Sequence, residues 1–196
     1  MKSQLKNLVM FKMGWIACVT LAAAGQPLWA TVAVAVVVIL HLAGVPLVVK
    51  EALLLAASAV IGLAWESVLV WSGLLSYPSS GEFAPFAPYW IVAMWVLFAT
   101  TINHGLRWVK KNWMMAAAAG LVGGPLAFYG GASMGAVEFS HTLWSLLAIG
   151  AGWAALLPLL TLISDTIIDS AWLEPGQQQR QVKRLPIFES ELSSER

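Results

Sequence analysis

The chain has 196 residues, 59% of them apolar and 11% charged, with 11 Lys and Arg against 10 Asp and Glu. An ordinary soluble domain carries about 25% charged residues, so this composition, at a mean hydropathy of +0.76, excludes a water-soluble globule and excludes disorder over most of the length. The near-neutral balance gives no reason to expect nucleic acid, and the single cysteine, Cys18, excludes an internal disulfide and any Cys-based zinc or iron–sulfur site.

A helix that crosses the roughly 30 Å hydrocarbon layer needs about 20 mostly apolar residues. Six stretches answer to that description, at 8–24, 28–44, 52–75, 89–108, 113–130 and 138–164. Gly25-Gln26-Pro27 separates the first two, and Val45-Pro46 with Lys50-Glu51 separates the next pair. Tyr77-Pro78 opens one sizeable loop, Arg107 with Lys110-Lys111-Asn112 marks a tight hairpin, and Gly130-Gly131 begins the last connection. With a cytoplasmic N-terminus, all 11 basic residues fall on the cytoplasmic side, as the distribution of Lys and Arg in membrane proteins requires. The fold expected is therefore all-α, a polytopic membrane bundle of six transmembrane helices with both termini cytoplasmic. It covers 1–169, and a polar cytoplasmic tail at 170–196 has the composition of a disordered segment. Lys12 splits the first apolar stretch, which argues against a cleaved signal peptide.

Ionisable groups inside spans are costly and mark functional sites by default. Glu66 lies roughly 21 Å above the start of the third span by helical rise. A neutral carboxyl there would be a hydrogen-bond donor in need of an acceptor. Thr100, Ser145 and the Leu121 carbonyl, freed by Pro125, are expected at that height, with the deep indoles Trp95 and Trp144 beside them. Towards the cytoplasmic ends a second cluster gathers His41, Asn103, His104, Arg107, Asp165 and Asp169, with Thr100, Asn103 or His104, and Arg107 on one helical stripe and Arg107 paired with Asp165 or Asp169. Glu138 and His141 form a third, outer pair on adjacent turns of the last span. Ala116, Gly120 and Gly124 permit close helix approach, and Gly123-Gly124-Pro125 is expected to break the fifth helix. The blander reading of each cluster is that polar side chains tie helix ends together.

The histidines, His41, His104 and His141, form no HxxxH or HExxH pair, so no metal and no cofactor are expected. His41 and His104, at a common depth, are the one pair that could ligate a haem. There is no phosphate loop and no nucleophile–base motif. Three functions stay open: binding or helping to modify a lipid or other hydrophobic molecule between the helices, a small transporter with Glu66 as its proton- or substrate-coupling carboxylate, and a membrane scaffold for a partner enzyme.

Several strings together carry a resemblance: Phe11-Lys12-Met13-Gly14-Trp15 with Cys18, Glu66-Ser67, Tyr77-Pro78, Asn103-His104-Gly105-Leu106-Arg107-Trp108, and Gly123-Gly124-Pro125-Leu126-Ala127-Phe128-Tyr129. Over about 8–163 the chain resembles the bacterial inner-membrane family classed as a domain of unknown function, DUF2878. The resemblance implies a compact multi-helix, multi-pass protein of the inner (cytoplasmic) membrane and brings no established activity. An Asp often stands in that family where Glu66 stands here, and the long tail after Asp169 is a departure. Relatives lie beside fatty-acid-modifying enzymes, so a lipid-linked role is implied. Its partners would be membrane lipid, a lipid-modifying enzyme or a second copy of the chain.

Overall fold

The computed structural model describes residues 2–79 and 86–169; the expected tail at 170–196 lies outside the described residues. The protein is a bundle of six α-helices: α1 Lys2–Ala23, α2 Pro27–Leu42, α3 Val48–Trp71, α4 Tyr89–Ala99, α5 Trp113–Ser133 and α6 Thr142–Asp169. A 3₁₀ helix, Arg107–Lys111, links α4 to α5, and two short strands, β1 Leu75–Ser76 and β2 Glu138–Phe139, pair antiparallel. The chain turns at Gly25 and Gly135, whose φ angles of +70° and +84° favour glycine. Pro27 starts α2 at its first helical turn, where a missing N–H costs nothing. Asn112 caps α5 by accepting from the Met114 N–H at 2.8 Å.

Four helices, α1, α3, α5 and α6, are long and apolar enough to cross a membrane, while α2 and α4 are shorter apolar helices of 16 and 11 residues. Large apolar side chains such as Met13, Ile39, Val60, Leu126 and Leu162 stand exposed on the outer faces of five helices. So broad an apolar exterior is one that lipid covers, and this is a membrane protein.

The fourth expected span is not one helix. It stops at Ala99, and residues 100–106 form turns before the 3₁₀ helix. The Thr100 and Thr101 hydroxyls donate to the carbonyls of Leu97 and Phe98 at 2.7 and 2.6 Å, a local bond that competes with helix continuation. From α1, Asn7 donates to the Thr100 carbonyl and accepts from the Gly105 N–H, each at 3.0 Å. A Cβ on Gly105 would fall 2.4 Å from Leu8 Cδ2 and 2.8 Å from Asn7 Oδ1, so a larger residue would have to displace side chains of α1 for this turn to close. By contrast, α5 runs unbroken through Gly123, Gly124 and Pro125, which form no helix break. The freed Leu121 carbonyl faces Gly150 of α6, 3.1 Å from where a Cβ would stand.

The helices meet where side chains are missing. A Cβ on Gly120 would lie 2.1 Å from the Trp153 carbonyl oxygen, and one on Gly124 would lie 2.5 Å from Trp153 Cγ. The small-residue stripe of α5 is thus the seat of α6, as its spacing implies. Trp153 stacks on Trp95 with centroids 4.6 Å apart and meets the edge of Phe98 at 5.0 Å. These rings form the centre of the core.

Candidate functional site

Two clusters of polar side chains lie inside the bundle, at different heights on α3. The upper one begins with a stripe on one face of α3, Ser58, Gly62 and Glu66, spaced four residues apart. Each member seats Trp95 of α4. Ser58 Oγ donates to the Trp95 carbonyl at 2.9 Å, and Trp95 Nε1 donates to Glu66 Oε1 at 2.8 Å. A Cβ on Gly62 would fall 2.3 Å from Trp95 Cγ. Tyr77, from the loop after β1, donates its hydroxyl to Glu66 Oε2 at 2.7 Å and packs edge-on against Trp90. Glu66 is 0% exposed, with a donor on each carboxyl oxygen.

The expected company of Glu66 is therefore corrected in part. Trp95 is there. Thr100 spends its hydroxyl on Leu97, Ser145 donates to the Leu74 carbonyl at 2.6 Å, and Trp144 is 65% exposed on the outer face of α6. The carboxyl meets donors instead of acceptors. Tyr77 was missed as a partner because it comes from a loop and not a span, although Tyr77-Pro78 stands out in the sequence.

Trp95 and Tyr77 form part of the wall of a cavity of about 80 Å³. Phe11 and Trp15 of α1, Met94 and Phe98 of α4, Phe128 of α5 and Trp153 of α6 complete most of its lining, which is almost wholly apolar. α1 and α5 do not pack along their lengths; the Trp15 ring bridges them, 3.3 Å from where a Cβ on Gly130 would stand. On its outer face Trp15 carries the Lys12 ammonium, 4.4 Å from the ring centroid. The Nε1 atoms of Trp90 and Trp153, whose rings line the cavity, are themselves buried with no hydrogen-bond partner among the described residues.

The lower cluster lies where α2 ends, α3 begins and the turns after α4 pass. Glu51, in the first turn of α3, meets His41 Nε2 at 3.4 Å through Oε2 and His104 Nε2 at 3.2 Å through Oε1. Asn103 donates to Glu51 Oε1 at 3.0 Å. Lys110 and Ser164 hold the other end of the Asn103 amide, donating to its Oδ1 at 2.7 and 2.6 Å. His41, Asn103 and His104 are thus brought together, around Glu51, which the sequence alone places in the connection between the second and third spans.

The ion pair expected of Arg107 does not form. Lys110 takes Asp165 at 2.8 Å, while Arg107 and Asp169 are exposed. The reason is the early end of α4: with turns and a 3₁₀ helix replacing the α-helical stripe, Lys110 points towards α6. The haem reading fails as well. The rings of His41 and His104 lie 4.9 Å apart between centroids with the Glu51 carboxylate joining their Nε2 atoms, which leaves no room for a porphyrin. The outer pair is also dispersed, since Glu138 belongs to β2 and accepts from Ser76 Oγ at 3.2 Å, and exposed His141 precedes α6.

No curated protein and no solved structure matches the chain. One family model does, that of a protein of unknown function, DUF2878, over residues 4–159. That span takes in all but the first residues of α1 and the last turns of α6, with Glu51, Glu66 and the side chains that touch their carboxyl oxygens, and the chain belongs to the DUF2878 family.

Proposed function

We propose that this chain is a multi-pass protein of the bacterial inner membrane that holds the apolar part of an amphiphile in the cavity between α1, α4, α5 and α6. The single observation that carries this reading is an almost wholly apolar cavity walled by aromatic rings from four helices. Walls of this kind suit a hydrocarbon chain, whose burial stabilises by about 0.8 kcal/mol per CH₂ group. At about 80 Å³ the cavity admits a chain segment and not a whole lipid. The remainder of the guest would stay among the lipids outside the seam of Trp15 and Gly130. A lipid-modifying partner, or a second copy, would meet the guest at this seam.

Six crossings with both termini cytoplasmic fit this reading. α2 spans about 24 Å by helical rise, and α4 is prolonged by the turns and 3₁₀ helix to Lys111, with Ile102, Gly105 and Val109 buried. Non-helical backbone at membrane depth is tolerated where protein covers it. Glu66 then serves as a lock, holding Trp95 and Tyr77 in the cavity wall through its two oxygens.

The test uses the full chain purified in mild detergent and its retained amphiphiles, measured by native mass spectrometry. Ala127, exposed at the cavity rim, is replaced by Trp to plug the mouth. A bound amphiphile near one per chain that falls at least tenfold in Ala127→Trp, but not in Ala127→Ser, is the expected result. Equal retention in all three proteins rejects the cavity as the binding site.

A further inference from the structure

We propose that His41, Glu51 and His104 form a site for one divalent first-row transition ion, zinc or ferrous iron. Nothing in this proposal depends on the amphiphile cavity. The three ligand atoms, two imidazole Nε2 and a carboxylate oxygen, all lie within 4.8 Å of one another. His104 Nε2 stands 3.2 Å from Glu51 Oε1 and His41 Nε2 stands 3.4 Å from Glu51 Oε2, so each imidazole faces its own carboxylate oxygen, and neighbouring ligand atoms around a tetrahedral zinc at about 2.0–2.1 Å stand roughly 3.3 Å apart. The remaining edge must close on the ion, and His104, 25% exposed in its side chain, sits on a turn and has room to move. Two histidines and one carboxylate leave coordination positions open. That is the donor set of catalytic zinc sites and of ferrous sites with two histidines and a carboxylate on one face.

The surroundings have the form of a built ligand shell. Metal-binding carboxylates are oriented by hydrogen bonds from outside the site, and here Asn103 donates to Glu51 Oε1 while Lys110 and Ser164 fix the Asn103 amide. Lys110 reaches the amide and not the carboxylate, and its charge is answered by Asp165 at 2.8 Å, so it does not compete for Glu51. His41 and Glu51 are buried, and the half-open His104 edge supplies the entry path. An ion would replace the two imidazole–carboxylate contacts by three metal–ligand bonds. The ligands come from the end of α2, the start of α3 and the turns after α4, so the ion would clamp three segments that share no local sequence.

The full chain, purified without a polyhistidine tag, is stripped with chelator and titrated separately with Zn²⁺ and, without oxygen, with Fe²⁺. Co²⁺ serves as the spectroscopic probe of geometry. The expected result is one ion per chain, retained through gel filtration, with the metal content of the chain as purified, before stripping, naming the native ion, since zinc binds more tightly than ferrous iron at most nitrogen and oxygen sites. His41→Gln, His104→Gln and Glu51→Gln should abolish retention, Asn103→Ala should weaken it by about 10–100-fold, and His141→Gln should leave it unchanged. If Glu51→Gln does not accumulate, His104→Gln decides, because its side chain is the least enclosed of the three. Failure of the wild-type chain to retain any of the three ions overturns the proposal, and so does equal retention by His104→Gln. Either result would leave the cluster as a hydrogen-bonded tie between helix ends and would not bear on the cavity.

Discussion

Helix α3 carries two buried glutamates, about 22 Å apart by helical rise, and the helices around them make them different groups. Glu66 meets a phenol and an indole, neither of which binds metal ions readily or carries charge, inside a wall of aromatic rings. Glu51 meets two imidazoles and an amide at the end of the bundle where Lys50 and Lys110 also lie. One carboxyl is closed off by its partners and fixes a wall; the other is offered by its partners and gathers ligands. Burial and residue type are shared, so the chemistry follows from what the neighbouring segments aim at each carboxyl.

The contrast breaks most severely at Glu66. Glu66→Leu takes away the acceptor of the buried Trp95 N–H and the Glu66 bond of the Tyr77 hydroxyl, which should cost about 2–6 kcal/mol at about 1–3 per buried bond lost. Glu66→Gln keeps an acceptor for Trp95 and offers an N–H to the Tyr77 oxygen, so its loss should stay below about 1.5 kcal/mol. Thermal unfolding in detergent, followed by tryptophan fluorescence, compares the two; equal losses would mean that the carboxyl is not what seats Trp95.

Gly62→Ala sharpens the separation of the two regions. Its Cβ would lie 2.3 Å from Trp95 Cγ, and overpacking of this kind costs about 1–3 kcal/mol. Amphiphile retention should fall while zinc retention at Glu51 stays intact. A variant that loses both would show that the two clusters form one cooperative unit.

The smallest effect concerns the other end. A double-mutant cycle of Lys110→Ala with Asp165→Ala should give a coupling of about 0.5–1 kcal/mol, because Asp165 is half exposed and water screens the pair. The same cycle with Arg107→Ala in place of Lys110→Ala should be additive. Coupling through Arg107 would contradict the path of the chain after Ala99.

Much of the frame was readable from sequence. Apolar runs punctuated by Gly25, Pro27 and Pro46 place the first helices, whereas Gly130-Gly131, expected to begin the last connection, lie inside α5, which runs on to Ser133; the spacing of Ala116, Gly120 and Gly124 marks the seam that Trp153 fills. A carboxylate in a long apolar stretch identifies Glu66 as buried. What could not be read depends on distant partners. Asn7 takes up the Thr100 carbonyl across 93 positions of sequence, and it is this turn that moves Lys110, not Arg107, onto Asp165. Glu51 meets His104 across 53 positions and Asn103 across 52, so no local motif announces the cluster. Glu138 leaves the last helix because Ser76 pairs with it through the ribbon, a non-local contact that helical periodicity does not register.

The central claim is that the cavity, and not the outer surface of the bundle, receives the amphiphile. It is tested most directly by photocrosslinking with a fatty acid that carries a diazirine near its methyl end, followed by peptide mapping. The account predicts label on Trp15, Met94 and Phe128, lost in Ala127→Trp. Label spread over the outward residues Val60, Leu126 and Leu162, and indifferent to Ala127→Trp, would contradict it.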